Sequence, residues 1–144
     1  MKQVRDLVKG HPVVTVGKSA TVQTAAEIMA RENVGALAVM DGELLVGIFS
    51  ERDVISRVIS KQFDPGKTSV GSVMTRNIVI ALADETIESS LHKMKQANCR
   101  HLPVVDGEIL LGMLSLRDLL QVVVTEKEGR IEFLQDYMFH LPPA

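Results

Sequence analysis

The chain has 144 residues and a formal net charge of −2, with acidic and basic side chains interspersed, 3% aromatic residues and no tryptophan. That balance offers no basic stripe for nucleic acid or an acidic membrane, and few rings on which bases would stack. The single cysteine, Cys99, excludes an internal disulfide and a cysteine-based metal cluster, and it reads as a buried, inert thiol of a reducing compartment.

In chain order, Val4, Leu7 and Val8 stand at helical spacing until Gly10 and Pro12 stop the turn. The opening MKQVRDLVKGH has no apolar h-region, and no apolar run approaches the ~20 residues that span a bilayer, so a soluble, cytoplasmic protein is expected. His11, His92 and His140 have no partners at ligand spacing and read as solvated. Val13 to Val16 is a β-branched strand. Thr21 stands at an N-cap, and Val22, Ala25, Ala26 and Met29 behind it fall at i, i+3, i+4, i+7, so the helix lies on a sheet. Asn33 is the expected stop. The stretch Gly35 to Asp53, GALAVMDGELLVGIFSERD, then predicts a strand, a tight turn at Asp41-Gly42, a second strand and a helix start. Leu44 to Phe49 is an unbroken apolar run, expected to be buried on both faces or nearly so. Gly47 interrupts it, which predicts a bulge or a close backbone approach. Lys61 to Ser69, KQFDPGKTS, is a polar linker.

Then the pattern returns at a constant offset of 118 − 53 = 65 residues. Over Thr21 to Ile55, 13 of 35 positions are identical to those 65 further on, where average composition gives roughly 2 or 3 by chance. The chain is therefore an internal duplication. Thr86 is the second N-cap, Ile87, Ser90, Leu91 and Met94 repeat the apolar face, and Asn98, Asp106-Gly107 and Gly112 recur in place. Val70, Val73 and Met74 match the opening turn, and Ile78 to Leu82 matches the first strand. The expected division is residues 1–63 as the first repeat with its N-terminal helix, 64–69 as linker, 70–125 as the second repeat, and 126–144 as a C-terminal helix and tail. That tail helix, with Ile131, Phe133, Leu134, Tyr137 and Met138, would cap the core or join a dimer contact. Each repeat alone is small, so the halves are expected to share one core.

The strongest polar signal is Ser50-Glu51-Arg52-Asp53 with its twin Ser115-Leu116-Arg117-Asp118, each at the end of an apolar strand. Serine followed three residues later by an acid is close to a capping box. A carboxylate at a strand end also suits the two hydroxyls of a ribose. The readings are compatible, since the serine can cap while the aspartate meets a ligand. Arg100-His101 precedes the second hairpin where the first copy has Gly35-Ala36, and a guanidinium can grip phosphate oxygens bidentately. Arg52 and Arg117 suit either a phosphate or a solvated surface.

The repeated Asp-Gly hairpin, the apolar strand with its glycine, the Ser-x-x-Asp, the VMT before the second copy and the HLPVVD within it together resemble the CBS domain. Two tandem copies resemble a Bateman module over about Val4 to Val124. The resemblance implies an α/β (α+β) fold of two strand-helix-strand-strand-helix repeats, packed sheet to sheet about a pseudo-twofold axis, with two clefts for adenosine-containing ligands. It implies that Asp53 and Asp118 hold ribose hydroxyls, that Ser50, Arg52, Ser115 and Arg117 stand beside them, that Thr15 and its neighbours and Thr75-Arg76-Asn77 line the adenine and phosphate region, and that Arg100 and His101 meet phosphate. It also implies a homodimer.

No nucleophile-base pair, metal cluster or phosphate-binding glycine loop stands in the sequence, so no enzyme is expected. The expected function is a stand-alone regulatory module binding AMP, ADP, ATP or NAD(H) and acting on an unidentified target protein; S-adenosylmethionine would leave Arg100 and His101 without an anion. The alternative is a structural dimerisation or docking module with no ligand.

Overall fold

The computed structural model describes residues 3–125; the expected tail helix lies outside the described residues. The elements are α1 (Val4–Val8), β1 (Thr15–Gly17), α2 (Val22–Glu32), β2 (Ala36–Asp41), β3 (Leu44–Ser50), α3 (Glu51–Asp53) running on as a π-helix over Val54–Ile59, α4 (Val70–Val73), β4 (Ala81–Leu82), α5 (Ile87–Ala97), β5 (His101–Asp106), β6 (Ile109–Ser115) and α6 (Leu116–Thr125). The fold is mixed α+β with two three-stranded sheets, ordered β1-β2-β3 and β4-β5-β6. In each sheet the first pair is parallel and the second antiparallel.

Local chemistry sets the element ends. The Thr21 and Thr86 hydroxyls accept from the Thr24 and Ser89 N–H groups at 3.1 and 3.2 Å, capping α2 and α5. Asn33 and Asn98 close the same helices in the left-handed region, both at φ 55°, a conformation asparagine tolerates better than most residues. Both hairpins turn through two residues, with Gly42 at φ 64° and Gly107 at φ 61°.

The first strands are shorter than their apolar runs, because only Thr15–Gly17 and Ala81–Leu82 find a ladder partner. The central strands β2 and β5 are buried on both faces, whereas β3 and β6 are more open than the unbroken runs imply. Leu44 is 65% and Ile109 66% exposed. These are edge strands, each with a strand neighbour in its sheet on one side only. The physical cause is sheet order, which hydropathy along one strand does not carry.

The compact units do not coincide with the sequence repeats. One unit is Pro12–Ile78; the other joins the residues through His11 to the chain from Val79 onward. Sequence placed α1 with the first copy, but the Val4 and Arg5 N–H groups donate to the Glu85 and Ala83 carbonyls at 3.0 and 2.9 Å. Likewise α4, placed with the second copy, donates from Val70 and Gly71 to Ala20 and Lys18, both at 2.8 Å. Each copy thus takes its short helix from the segment leading into the other. The edge glycines make room for it. A Cβ on Gly47 would lie 2.5 Å from Met74 Sδ and 2.8 Å from the Thr75 carbonyl oxygen, and one on Gly112 would lie 2.8 Å from Val8 Cβ. Both glycines also sit opposite a shift in ladder register, so bulge and close approach occur together.

Among the described residues the buried apolar side chains fall into two clusters, one in each unit. Val4 and Val8 join Leu91, Met94, Leu102, Leu114 and Leu119, while Val70, Val73 and Met74 join Val22, Leu37, Val39, Phe49 and Val58. Fully burying a side chain of this size is worth about 1.5–3 kcal/mol, so the two or three residues contributed by each short helix form a substantial part of each core. Cys99 is partly buried against the first of these clusters.

Candidate ligand-binding site at the strand ends

In the second copy, β5 starts where β6 ends. His101 is the ladder partner of Ser115, and the Leu116 N–H donates to the Arg100 carbonyl at 2.8 Å. Register therefore gathers Arg100, His101 and Ser115 at one end of the sheet, and α6 leaves from the same point. The Ser115 hydroxyl accepts from the Asp118 N–H at 3.1 Å. The Asp118 side chain is exposed, and among the described residues its carboxylate accepts no hydrogen bond. Arg117 is exposed beside it.

The first copy has the same backbone frame, with Ala36 opposite Ser50 and the Glu51 N–H donating to the Gly35 carbonyl at 3.0 Å. Its carboxylate is used differently. Asp53 is 6% exposed. The Ser50 N–H and hydroxyl donate to Asp53 Oδ2 at 2.9 and 3.1 Å, while that hydroxyl accepts from the Asp53 N–H at 3.3 Å. This is the complete capping box that the sequence allowed. Arg57 Nε lies 3.4 Å from Asp53 Oδ1, and its Nη1 donates to the Val73 and Met74 carbonyls at 3.4 and 3.2 Å. Arg52 is exposed.

Thr75 and Arg76 fall in the unit of the first copy rather than that of Arg100. Thr75 exchanges backbone hydrogen bonds with Ile48 at 2.9 and 3.0 Å, and Arg76 donates to the Gly71 carbonyl at 2.8 Å. The ten candidates thus form two sets: Ser50, Arg52, Asp53, Thr75 and Arg76 in one unit, and Arg100, His101, Ser115, Arg117 and Asp118 in the other.

Sequence reasoning missed Arg57, although its i+4 spacing from Asp53 was a signal. It also missed a polar cluster found only in the second copy. Lys93 Nζ donates to Glu85 Oε1 and to the Ile80 carbonyl, Ser90 Oγ donates to Glu85 Oε2, and the Leu82 N–H donates to Glu85 Oε1. Burial pushes the Glu85 carboxyl up, but the hydrogen bonds from Lys93, Ser90 and Leu82 outweigh it and hold the group below the ordinary carboxylate range. The first copy has Ala20, Ala25 and Ile28 at these positions. Among the described residues no His, Cys, Asp and Glu side chains gather to hold a metal ion, and no helix is long and apolar enough to cross a membrane.

The CBS domain family model matches residues 4–60 and again 70–125. The chain belongs to the CBS-domain family. It carries that domain as a tandem pair, and each copy has the strand-helix-strand-strand-helix order expected from the resemblance. The CBS domain-containing protein YhcV of Bacillus subtilis is 34% identical over 119 residues, covering 83% of this chain and 84% of YhcV. The Arabidopsis thaliana protein CBSCBSPB5 is 37% identical over 120 residues, and this CBS pair spans only 22% of its length. Among solved structures, the CBS domain pair of protein MJ0100, in complex with 5′-methylthioadenosine and S-adenosyl-L-methionine, superposes with a TM-score of 0.79 at 26% identity over 88% of this chain and 99% of that one.

Proposed function

We propose that this CBS pair is a regulatory module that binds an adenosine-containing ligand carrying phosphate, namely AMP, ADP, ATP or NAD(H), and binds it first at the β5–β6 end of the second copy. The observation that carries this reading is the contrast between the exposed Asp118 and the buried, capped Asp53. Accepting two ribose hydroxyls requires lone pairs not already engaged, which Asp118 has and Asp53 has largely committed. Arg100 and His101 supply cationic or donor groups at the same sheet end for a phosphate. The adenosine ligands of the MJ0100 complex support the nucleoside part; neither of them contains phosphate, so the phosphate preference rests on Arg100 and His101 alone.

In this reading the protein acts by binding, forms a homodimer, and conveys occupancy to an unidentified target protein. Such signalling requires that ligand favour one arrangement of the module over another. A thermal-shift titration against adenosine, AMP, ADP, ATP, NAD, NADH and S-adenosylmethionine tests the assignment. A ligand at a hundred times its Kd adds about 2.7 kcal/mol, or several degrees in a domain of this size. The expected result is a shift that grows from adenosine to AMP and is lost in Asp118→Ala. No shift with any ligand favours the structural docking module.

A further inference from the structure

The duplication provides an internal comparison at the hairpin end of each sheet, away from the Ser-x-x-Asp end. The short helices correspond through their hydrogen bonds: Arg5 and Gly71 donate their N–H groups to Ala83 and Lys18, which are themselves 65 residues apart. Arg5 therefore occupies in one unit the place that Gly71 occupies in the other. The Arg5 guanidinium lies across its sheet end, with Nη2 3.4 Å from Asp84 Oδ1 and 3.5 Å from Asp106 Oδ2. Gly71 has no side chain, a Cβ there would stand 3.0 Å from the Lys18 carbonyl oxygen, and a groove of about 630 Å³ lies alongside.

Its charge is also changed. Asp84 is replaced by Ser19, and Lys18 enters where Ala83 stands. Lys18 Nζ pairs with Asp41 Oδ2 at 2.8 Å, and that aspartate is the counterpart of Asp106. The ammonium retains two further donors. Arg76 Nη2 is fixed by the Gly71 carbonyl at 2.8 Å, and the guanidinium has other N–H groups to offer. The Ser19 and Ser69 hydroxyls line the same groove, as does Ser72, whose hydroxyl donates to the Ser69 carbonyl at 2.7 Å. Two cations against one carboxylate, with the Ser19 and Ser69 hydroxyls, form a surface suited to an oxyanion.

We infer that this groove, bounded by Lys18, Ser19, Ser69, Gly71, Ser72 and Arg76, binds a small ligand bearing a phosphate or carboxylate group. The site lies wholly within the Pro12–Ile78 unit and is separate from the β5–β6 site proposed for nucleotide, although it takes in Arg76, which the family resemblance also sets beside phosphate. The test is a titration of the isotope-labelled protein with inorganic phosphate, and separately with citrate, at fixed ionic strength against a chloride control, following the amide resonances of Ser19, Gly71 and Ser72. Saturable shifts with either anion are expected, and whichever responds identifies the head group. Lys18→Ala and Arg76→Ala should each weaken binding up to about fivefold, the scale of an exposed charge pair. Gly71→Arg, which puts an arginine where the other unit has one, should abolish it. If that variant does not fold, the two alanine variants decide. Asp118→Ala should leave the response unchanged. A response no greater than with chloride, one undiminished in both alanine variants, or one lost in Asp118→Ala overturns the assignment.

Discussion

Arg57 ties the buried Asp53 carboxylate to the end of α4, its Nε 3.4 Å from Asp53 Oδ1 and its Nη1 3.2 Å from the Met74 carbonyl oxygen. One guanidinium thus links a π-helical segment, a capping carboxylate and the short helix that completes this unit's core. Its planar fork makes the double engagement possible, which a lysine point charge cannot reproduce. Arg57→Lys should recover less than half of the stability lost in Arg57→Ala. We expect the alanine variant to cost about 1–2 kcal/mol, since the arginine is half exposed while its carboxylate partner is buried. Urea unfolding of both variants measures this; equal stability of wild type and Arg57→Ala would show the contact to be idle.

The two Ser-x-x-Asp motifs predict opposite costs. Asp53→Ala removes a buried cap whose loss should lower stability by about 1–3 kcal/mol. Asp118→Ala removes an exposed side chain and should stay within about 0.5 kcal/mol of wild type, while losing nucleotide binding. Equilibrium denaturation and calorimetric titration, run on the same two proteins, separate stability from binding. Equal destabilisation by both changes would contradict the contrast.

Adding one methyl group to each edge glycine should also split the copies. Gly47→Ala meets the Thr75 carbonyl oxygen as well as Met74 Sδ, whereas Gly112→Ala meets only Val8 side-chain atoms among its three nearest neighbours. Both should destabilise by about 1–3 kcal/mol through overpacking. Val8→Ala should partly rescue Gly112→Ala, because the clashing atoms include the valine methyl Cγ1. Met74→Ala should not rescue Gly47→Ala, because the backbone oxygen remains. Thermal unfolding of the single and double variants reads this directly, and rescue at Gly47 would mean that the sulfur alone sets the limit.

Glu85 gives a pH dependence with a defined sign. Its folded-state carboxyl is held below the unfolded value, so it binds a proton more readily when unfolded. Its stabilisation is complete above the ordinary carboxylate value of about 4.3 and is lost as pH falls from there through the lowered folded value. Glu85→Gln should therefore be less stable than wild type at neutral pH, with the gap narrowing in that acid window. Denaturation midpoints measured from pH 7 down to pH 3 check this, and a gap independent of pH would exclude the carboxylate as its source.

Much of this architecture was legible in the residues themselves. Thr21 and Thr86, Asn33 and Asn98, and Gly42 and Gly107 each act through backbone chemistry spanning only a few residues, and the 65-residue duplication repeats each signal, so chance agreement is small. The sequence alone also fixed the family and the positions of Ser50, Asp53, Ser115 and Asp118. Tertiary structure alone decided that α1 packs with the second copy and α4 with the first, since helical spacing marks an apolar face without naming the sheet that covers it. It alone made Asp53 and Asp118 different, although their motifs share Ser, Arg and Asp in the same places. That difference rests on Arg57 and on how closely each helix start is covered, which are long-range matters of packing that no four-residue motif encodes.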